Sequence, residues 1–262
     1  MKHNNQKSSF LAQQPNVGCW LNLGSPAVAE AISHCGFDWL LIDCEHASND
    51  DNDVIAHLRA IDSARAHGAS VEPIVRVAWN DPVMVKRVMD SGAQTVMFPT
   101  IETLEQARKA VASTRFPQNG NGGIRGIAGL ARAGRYTHDS DYLAQANQQA
   151  SAILQIETAE GVKNVKEIAQ LEGVDCLFIG PADLAASLGH LGNQRHPEVL
   201  AAIDVVVDAC NQVGKVVGIF AASAEDGAFF RNRGLKMIAL HSDVVFLIRG
   251  AANELNAYKS SV

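Results

Sequence analysis

The feature that most constrains this chain is an eightfold alternation. Short apolar runs at 17–24, 39–46, 72–79, 95–101, 151–158, 176–183, 215–221 and 237–242 are separated by longer stretches with helical spacing. Most runs are nearly continuous in Val, Ile, Leu, Phe and Met. That pattern marks strands buried on both faces, as in parallel sheets covered by helices. Helices are predicted at 26–34, 53–66, 82–91, 104–114, 162–171, 197–213, 225–233 and 244–258. Three of them carry Pro at their first position, Pro26, Pro82 and Pro197, where the missing N–H costs nothing. Eight βα units in 262 residues predict an α/β protein, a closed (β/α)₈ barrel over 15–262 behind a flexible segment 1–14. An open doubly wound sheet would want a glycine-rich first turn, and that turn reads Leu23-Gly24-Ser25-Pro26.

Bulk chemistry narrows the function. A net charge of −6 and no Lys/Arg stripe argue against a nucleic-acid partner. No run is long and apolar enough to span a membrane, and residues 1–9 lack the apolar centre of a signal peptide. The five cysteines are scattered with no CxxC pair, which fits reduced thiols and a cytoplasmic protein.

A barrel of this type builds its active site at the C-terminal ends of the strands. There the second run ends Asp43-Cys44-Glu45-His46, the third carries Arg76 before Trp79-Asn80-Asp81, and the fifth ends Gln155-Ile156-Glu157. The sixth ends Gly180-Pro181-Ala182-Asp183 and the eighth His241-Ser242-Asp243. Glu157 and Asp183 are hard oxygen ligands on neighbouring runs. With waters and a chelating substrate they would suit Mg²⁺, Mn²⁺ or Co²⁺; an ion pair with Arg76 is the other use for such carboxylates. No zinc set of His₃ or Cys type is visible. Lys86, Lys109, Lys163, Lys166, Lys215 and Lys236 fall on helices or at strand starts, so Schiff-base chemistry has no nucleophile at the site. His34, His57, His67 and His138 read as surface residues of helices, and His241 as structural. One segment breaks the rhythm: 117–135 holds six glycines and reads as a lid or binding loop, or else as a surface insertion, with Arg132 and Arg135 on a solvated lid face or against an anionic substrate.

The motifs Gly36–His46, Val75–Pro82, Gln155–Thr158 and Phe178–Leu184 together resemble the HpcH/HpaI family of class II, metal-dependent pyruvate aldolases, across about 15–257. The resemblance implies reversible cleavage of a 4-hydroxy-2-oxo acid to pyruvate, or a related 2-oxo acid, and an aldehyde. It implies Glu157 and Asp183 as metal ligands, Arg76 as the group that stabilises the enolate, and His46 as the base. Asp90 would raise the basicity of that His. Gln155, Ala182 (through its amide), Asp183 and Arg76 would bind the 2-oxo acid. It also implies a homohexamer, a trimer of dimers exchanging the helix at 244–258. The chain departs from the family pattern at Cys44, where Gly is usual, and at Ala47-Ser48 after the His, which touches the aldehyde side of the pocket. Two other readings are a CoA-ester lyase of the citramalyl type, for which no basic nucleotide patch is seen, and a non-catalytic barrel that binds small acids.

Overall fold

A computed structural model describes Leu11 and residues 16–262. The strands β1 (Asn16–Leu21), β2 (Trp39–Asp43), β3 (Glu72–Arg76), β4 (Thr95–Phe98), β5 (Ser151–Ile156), β6 (Val174–Ile179), β7 (Val216–Ala221) and β8 (Met237–Ser242) close into a barrel in sequence order. Each strand pairs in parallel with its neighbours, and β1 pairs with β8. The (β/α)₈ architecture is therefore the one expected. The 1–14 segment lies outside the described residues except for Leu11, which is buried against the inner core.

Side chains alternate across each strand, and that period of two separates two cores. Trp20, Trp39, Leu41, Ile74, Met97, Ile153, Cys176, Phe178 and Met237 fill the barrel interior. Their sequence neighbours, such as Leu40, Ile42, Val75, Leu154 and Ile179, pack outward against the helices. Gly18 makes room for this plug: a Cβ there would lie 2.1 Å from the Trp39 ring. Continuing the inward phase by one step past the plug reaches Asn22, Asp43, Arg76 and Gln155, and a second step on β5 reaches Glu157. The same alternation that packs the interior thus sets a polar layer on top of it.

The helices are α1 (Pro26–Ser33), α2 (Asp51–Ala66), α3 (Pro82–Asp90), α4 (Leu104–Ser113), α5 (Tyr142–Gln149), α6 (Ala159–Lys163), α7 (Val165–Gln170), α8 (Pro181–Ser187), α9 (Pro197–Gln212), α10 (Ala224–Asn232) and α11 (Asp243–Ser260). Three differ from the sequence expectation. The helix predicted at 162–171 is two, α6 and α7, meeting at Asn164, whose side chain donates to the Glu102 carbonyl at 2.8 Å. α5 was not anticipated. β6 stops at Ile179, and Pro181 opens α8, so Asp183 stands in the first turn of a helix rather than at a strand end.

The glycine-rich segment is not folded over the mouth of its own barrel. Arg125 donates to Asp90 at 2.8 Å and to the Tyr142 hydroxyl at 2.7 Å. Arg132 donates to Asp62 at 2.7 Å and to the Ser91 carbonyl at 2.9 Å. Apart from Tyr142, which opens α5, these partners lie towards the C-terminal ends of α2 and α3, away from the C-terminal ends of the strands, and they correct the expectations of a lid and of a solvated Arg132. α11 meets the barrel at its first turns, where Phe246 stacks on Phe37 at 5.9 Å. From Leu247 onward the helix is exposed.

Candidate active site

The centre of the polar layer is Asp43, which is fully buried. Its carboxylate accepts from Arg76 through Nε and Nη2, both at 2.9 Å, and from Asn22 Nδ2 at 2.7 Å. It also accepts from the amides of Glu45 at 3.0 Å and His46 at 3.4 Å, which fixes the loop that follows β2. Asn49 holds the same loop from behind by donating to the carbonyls of Leu21 and Asp43.

Arg76 is held on several sides. Besides the fork to Asp43 it forms an ion pair with Glu45 at 2.7 Å and donates to Gln155 Oε1 at 3.4 Å. Its guanidinium lies 4.0 Å above the Trp20 ring, the top of the inner plug. A planar fork gripped by a carboxylate and stacked on an indole keeps one orientation, and lysine could not reproduce it. His46 is exposed, with Nε2 3.7 Å from Glu45 Oε1. Its ring faces solvent at the mouth, where a substrate could reach it.

Gln155 links this half of the site to the other. Its Nε2 donates to Glu157 Oε2 at 2.9 Å, while Glu157 Oε1 accepts from the amide of Thr100 at 2.8 Å and its hydroxyl at 2.9 Å. Thr100 adopts φ +50°, a left-handed conformation uncommon outside glycine, and that twist aims both donors at Glu157. Gly180 completes the cradle. A Cβ there would lie 2.4 Å from Glu157 Oε2, so the carboxylate occupies the space a side chain would take.

Burial pushes the Glu157 carboxyl above its usual range, and the Asp183 charge adds to this against the Thr100 hydrogen bonds. Burial likewise raises Glu45, with Arg76 opposing. Asp43 and Glu45 thus take up the Arg76 guanidinium, and Glu157 meets it only through Gln155. The donors on Glu157 are neutral, so among the described residues its charge has no cation in hydrogen-bond contact. A buried, hydrogen-bonded carboxylate with an exposed carboxylate close enough to repel it is a donor set that suits a divalent cation. Cys44, in the position where the family pattern usually has Gly, has its thiol pushed up to about 12 by burial and by Asp43. It stays protonated and offers no nucleophile.

His46, Arg76, Gln155 and Glu157 are therefore brought together, with Ala182 and Asp183 exposed on α8 beside them. Asp90 is not: it ends α3 and pairs with Arg125, away from the His46 of its own chain. His57 is buried rather than exposed, its Nδ1 2.7 Å from the Asp53 carbonyl. His241 is 9% exposed at φ +54° and packs edge-on to Phe246 at 6.4 Å. All the lysines of the barrel sit on helices or just ahead of strands, as expected. Asp43 and Glu45 stand in the strand-end cluster that the sequence pointed to but carry no assigned role there, and Asn22 and Thr100 were not singled out.

An (α/β)₈ barrel whose mouth gathers a stacked arginine, an exposed histidine and two unneutralised carboxylates defines a class: enzymes that stabilise a developing carbanion or enolate. The sequence profile of the HpcH/HpaI aldolase/citrate lyase family matches residues 16–250. A hydroxypyruvate/pyruvate aldolase of Paraburkholderia phytofirmans is 48% identical, covering 97% of each chain. A 4-hydroxy-2-oxo-heptane-1,7-dioate aldolase of Klebsiella pneumoniae is 43% identical over 94% of this chain and 90% of that one. The crystal structure of an HpcH/HpaI aldolase/citrate lyase family protein from Burkholderia cenocepacia superimposes with a TM-score of 0.91 at 48% identity, covering 94% of this chain and 95% of that one. The chain belongs to the HpcH/HpaI aldolase/citrate lyase family, and it is a carbon–carbon lyase of the aldolase type.

Proposed function

We propose that this aldolase reversibly cleaves a 4-hydroxy-2-oxo acid to an aldehyde and pyruvate or a related 2-oxo acid, with Mg²⁺, Mn²⁺ or Co²⁺ held by Glu157 and Asp183. The observation that carries the reading is the charge balance of the mouth, where Asp43 and Glu45 take up the one guanidinium and Glu157 is cradled, among the described residues, by neutral donors. A divalent cation bound there would supply Lewis-acid polarisation of the substrate's keto group.

The residues of the chain do the rest. Gln155 and the amide of Ala182 orient the 2-oxo acid. His46, reachable from solvent, takes the proton of the C4 hydroxyl. The C3–C4 bond then breaks, the aldehyde departs, and the electron pair remains as the enolate of the 2-oxo acid. Arg76, already fixed by Asp43 and Trp20, faces the charge as it develops, so no reorganisation is needed at the moment of reaction. Return of the proton to C3 gives the 2-oxo acid. The relative named for hydroxypyruvate and pyruvate supports both as donors, and the one named for a heptanedioate supports a longer acidic acceptor.

The exposed apolar residues of α11, Leu247, Ile248, Leu255 and Tyr258, support an oligomer in which this helix packs on a partner, the hexameric arrangement that the family resemblance implies. The five unpaired cysteines support a reducing, cytoplasmic setting. Among the described residues no helix is long and apolar enough to cross a membrane.

Exchange of the pyruvate methyl protons in D₂O, followed by NMR, tests the reading without knowledge of the aldehyde. Exchange is expected with Mn²⁺ or Mg²⁺, to stop with EDTA, and to return on adding metal. Exchange that EDTA leaves untouched would remove the metal from the scheme, and no exchange under any condition would favour a binding barrel.

A further inference from the structure

The connection from α8 to α9 brings together residues that the chemistry of the barrel mouth does not use. His190, His196 and Glu198 each offer one ligand atom, and these atoms all lie within 4.8 Å of one another. His190 Nε2 contacts Glu198 Oε2 directly, and the two imidazoles stack with centroids 3.5 Å apart. Both histidines are half-buried, while Glu198 is exposed. Among the described residues this is the one cluster of three or more such donors.

The backbone holds the three in place before any ligand arrives. The amide of His190 donates to the Ala185 carbonyl at 2.7 Å, closing the end of α8. The Asn193 amide donates to the His190 carbonyl at 2.9 Å, and the His196 amide to the Asn193 carbonyl at 3.1 Å. His196 is the N-cap of α9 and Pro197 follows at the first helical position, so Glu198 is fixed in the first turn. The Glu198 amide reaches His196 Nδ1 at 3.3 Å, a long contact that can yield without undoing the helix.

We propose that His190, His196 and Glu198 form a second metal site, separate from Glu157 and Asp183, which takes a borderline transition-metal cation of the Zn²⁺ class rather than Mg²⁺. Two imidazoles and a carboxylate are the ligand types of open His₂Glu sites, with water in the remaining position. Magnesium prefers oxygen ligands alone, so the two sites sort ions by their donors. The rings fan open from their stack about the Cβ–Cγ bonds to direct one nitrogen each at the ion. Glu198 balances its charge and offsets the positive end of the α9 dipole.

The position gives the site a consequence. His190 follows Asp183 by one short helix, α8, so an ion clamping the end of α8 to the start of α9 stiffens the segment that presents Asp183 and Ala182. It acts on that segment from outside the mouth and touches no reacting atom.

The test uses the full chain kept in excess Mg²⁺, so that the carboxylate pair at the mouth is supplied with its preferred kind of ion. Zn²⁺ is added, the unbound ion is removed by gel filtration, and zinc is counted per chain by mass spectrometry of the elements. One equivalent is expected in the unmodified chain and in Glu157→Gln, and none in His190→Ala or Glu198→Gln. The melting temperature should rise with Zn²⁺ only where the equivalent is retained. The proposal is overturned if the unmodified chain retains no zinc, if His190→Ala and Glu198→Gln retain as much as the parent, or if Glu157→Gln alone loses it. Both substituted side chains are partly or largely exposed, at 23% and 69%, so these variants keep the core that folds the barrel.

Discussion

Gly180→Ala isolates the cradle of Glu157. Gly180 has φ −91° and ψ 91°, so alanine can adopt its backbone without strain and any effect comes from space. The added Cβ would lie 2.4 Å from Glu157 Oε2 and 3.0 Å from Glu157 Cβ. The second contact is near the main chain and cannot swing away, so the carboxylate itself must turn by about an ångström to restore ordinary contact. That motion pulls Oε2 from Gln155 and Oε1 from the Thr100 pair. A hydrogen bond to a charged group is worth about 1.5–3 kcal/mol. At about 1.4 kcal/mol per decade, the loss of one corresponds to roughly 10- to 150-fold. The Mn²⁺ dissociation constant, read by EPR titration of free ion, should rise by that factor, and kcat/KM for pyruvate release should fall with it at fixed metal. Thermal stability should drop only by the modest cost of one overpacked methyl, about 1–3 kcal/mol. Wild-type Mn²⁺ affinity in a folded Gly180→Ala chain would refute the assignment of Glu157 as a ligand.

Three further outcomes follow from the same geometry. Arg76→Ala should lower kcat by about 10²–10³, as when one preorganised charge stabiliser is removed. It should also cost about 3–5 kcal/mol in urea melts at neutral pH, because Asp43 is left charged and buried; full stability would show that Asp43 is paired some other way. For the metal-free chain, the folded-state pKa of Glu157 is raised, so between the ordinary and raised values the folded state binds more protons than the unfolded. Its contribution to stability is therefore greatest at acid pH and is lost as pH rises through the folded value. Relative to Glu157→Gln, the parent should lose ground as pH rises through that window, and parallel stability curves would show that the carboxyl is not perturbed. Finally, borohydride with pyruvate should not inactivate the enzyme, since among the described residues no lysine lies at the mouth; inactivation with a mass shift on a lysine peptide would overturn the metal-based scheme.

The barrel was legible because its strands are apolar on both faces and recur eight times, a pattern that few architectures can bury. Their ends were less so. The sixth run was read through to Asp183, yet Pro181 cannot sit inside a central strand and is well suited to the first position of a helix. Giving that proline its weight would have ended β6 near Ile179 and placed Asp183 on α8. His57 is buried against expectation because the helix pattern does not say that α2 is covered along that face. Thr100 left no trace at all in the sequence. Its φ of +50° is set by the tertiary need to point an amide and a hydroxyl at Glu157, and threonine has no preference for that conformation. The cluster His190, His196 and Glu198 was likewise invisible, because the turn that joins α8 to α9 decides whether those side chains meet.

Asp43 shows why the site needs more than its reacting groups. It is the residue that converts a strand phase into a catalytic geometry. Buried and charged, it would be costly alone, and Arg76 offsets that cost with a two-pronged bond. The same carboxylate takes the amides of Glu45 and His46, so the loop bearing the proposed base is registered against Arg76, the proposed anion stabiliser. Arg76 passes the register through Gln155 to Glu157, across β2, β3 and β5. One chain of hydrogen bonds thus sets His46, Arg76 and Glu157, the proposed base, anion stabiliser and metal ligand, in a common frame built on rigid strands. In the proposed scheme the aldehyde meets the loop at Ala47-Ser48, the short stretch between the anchors that His46 and Asn49 make to this frame.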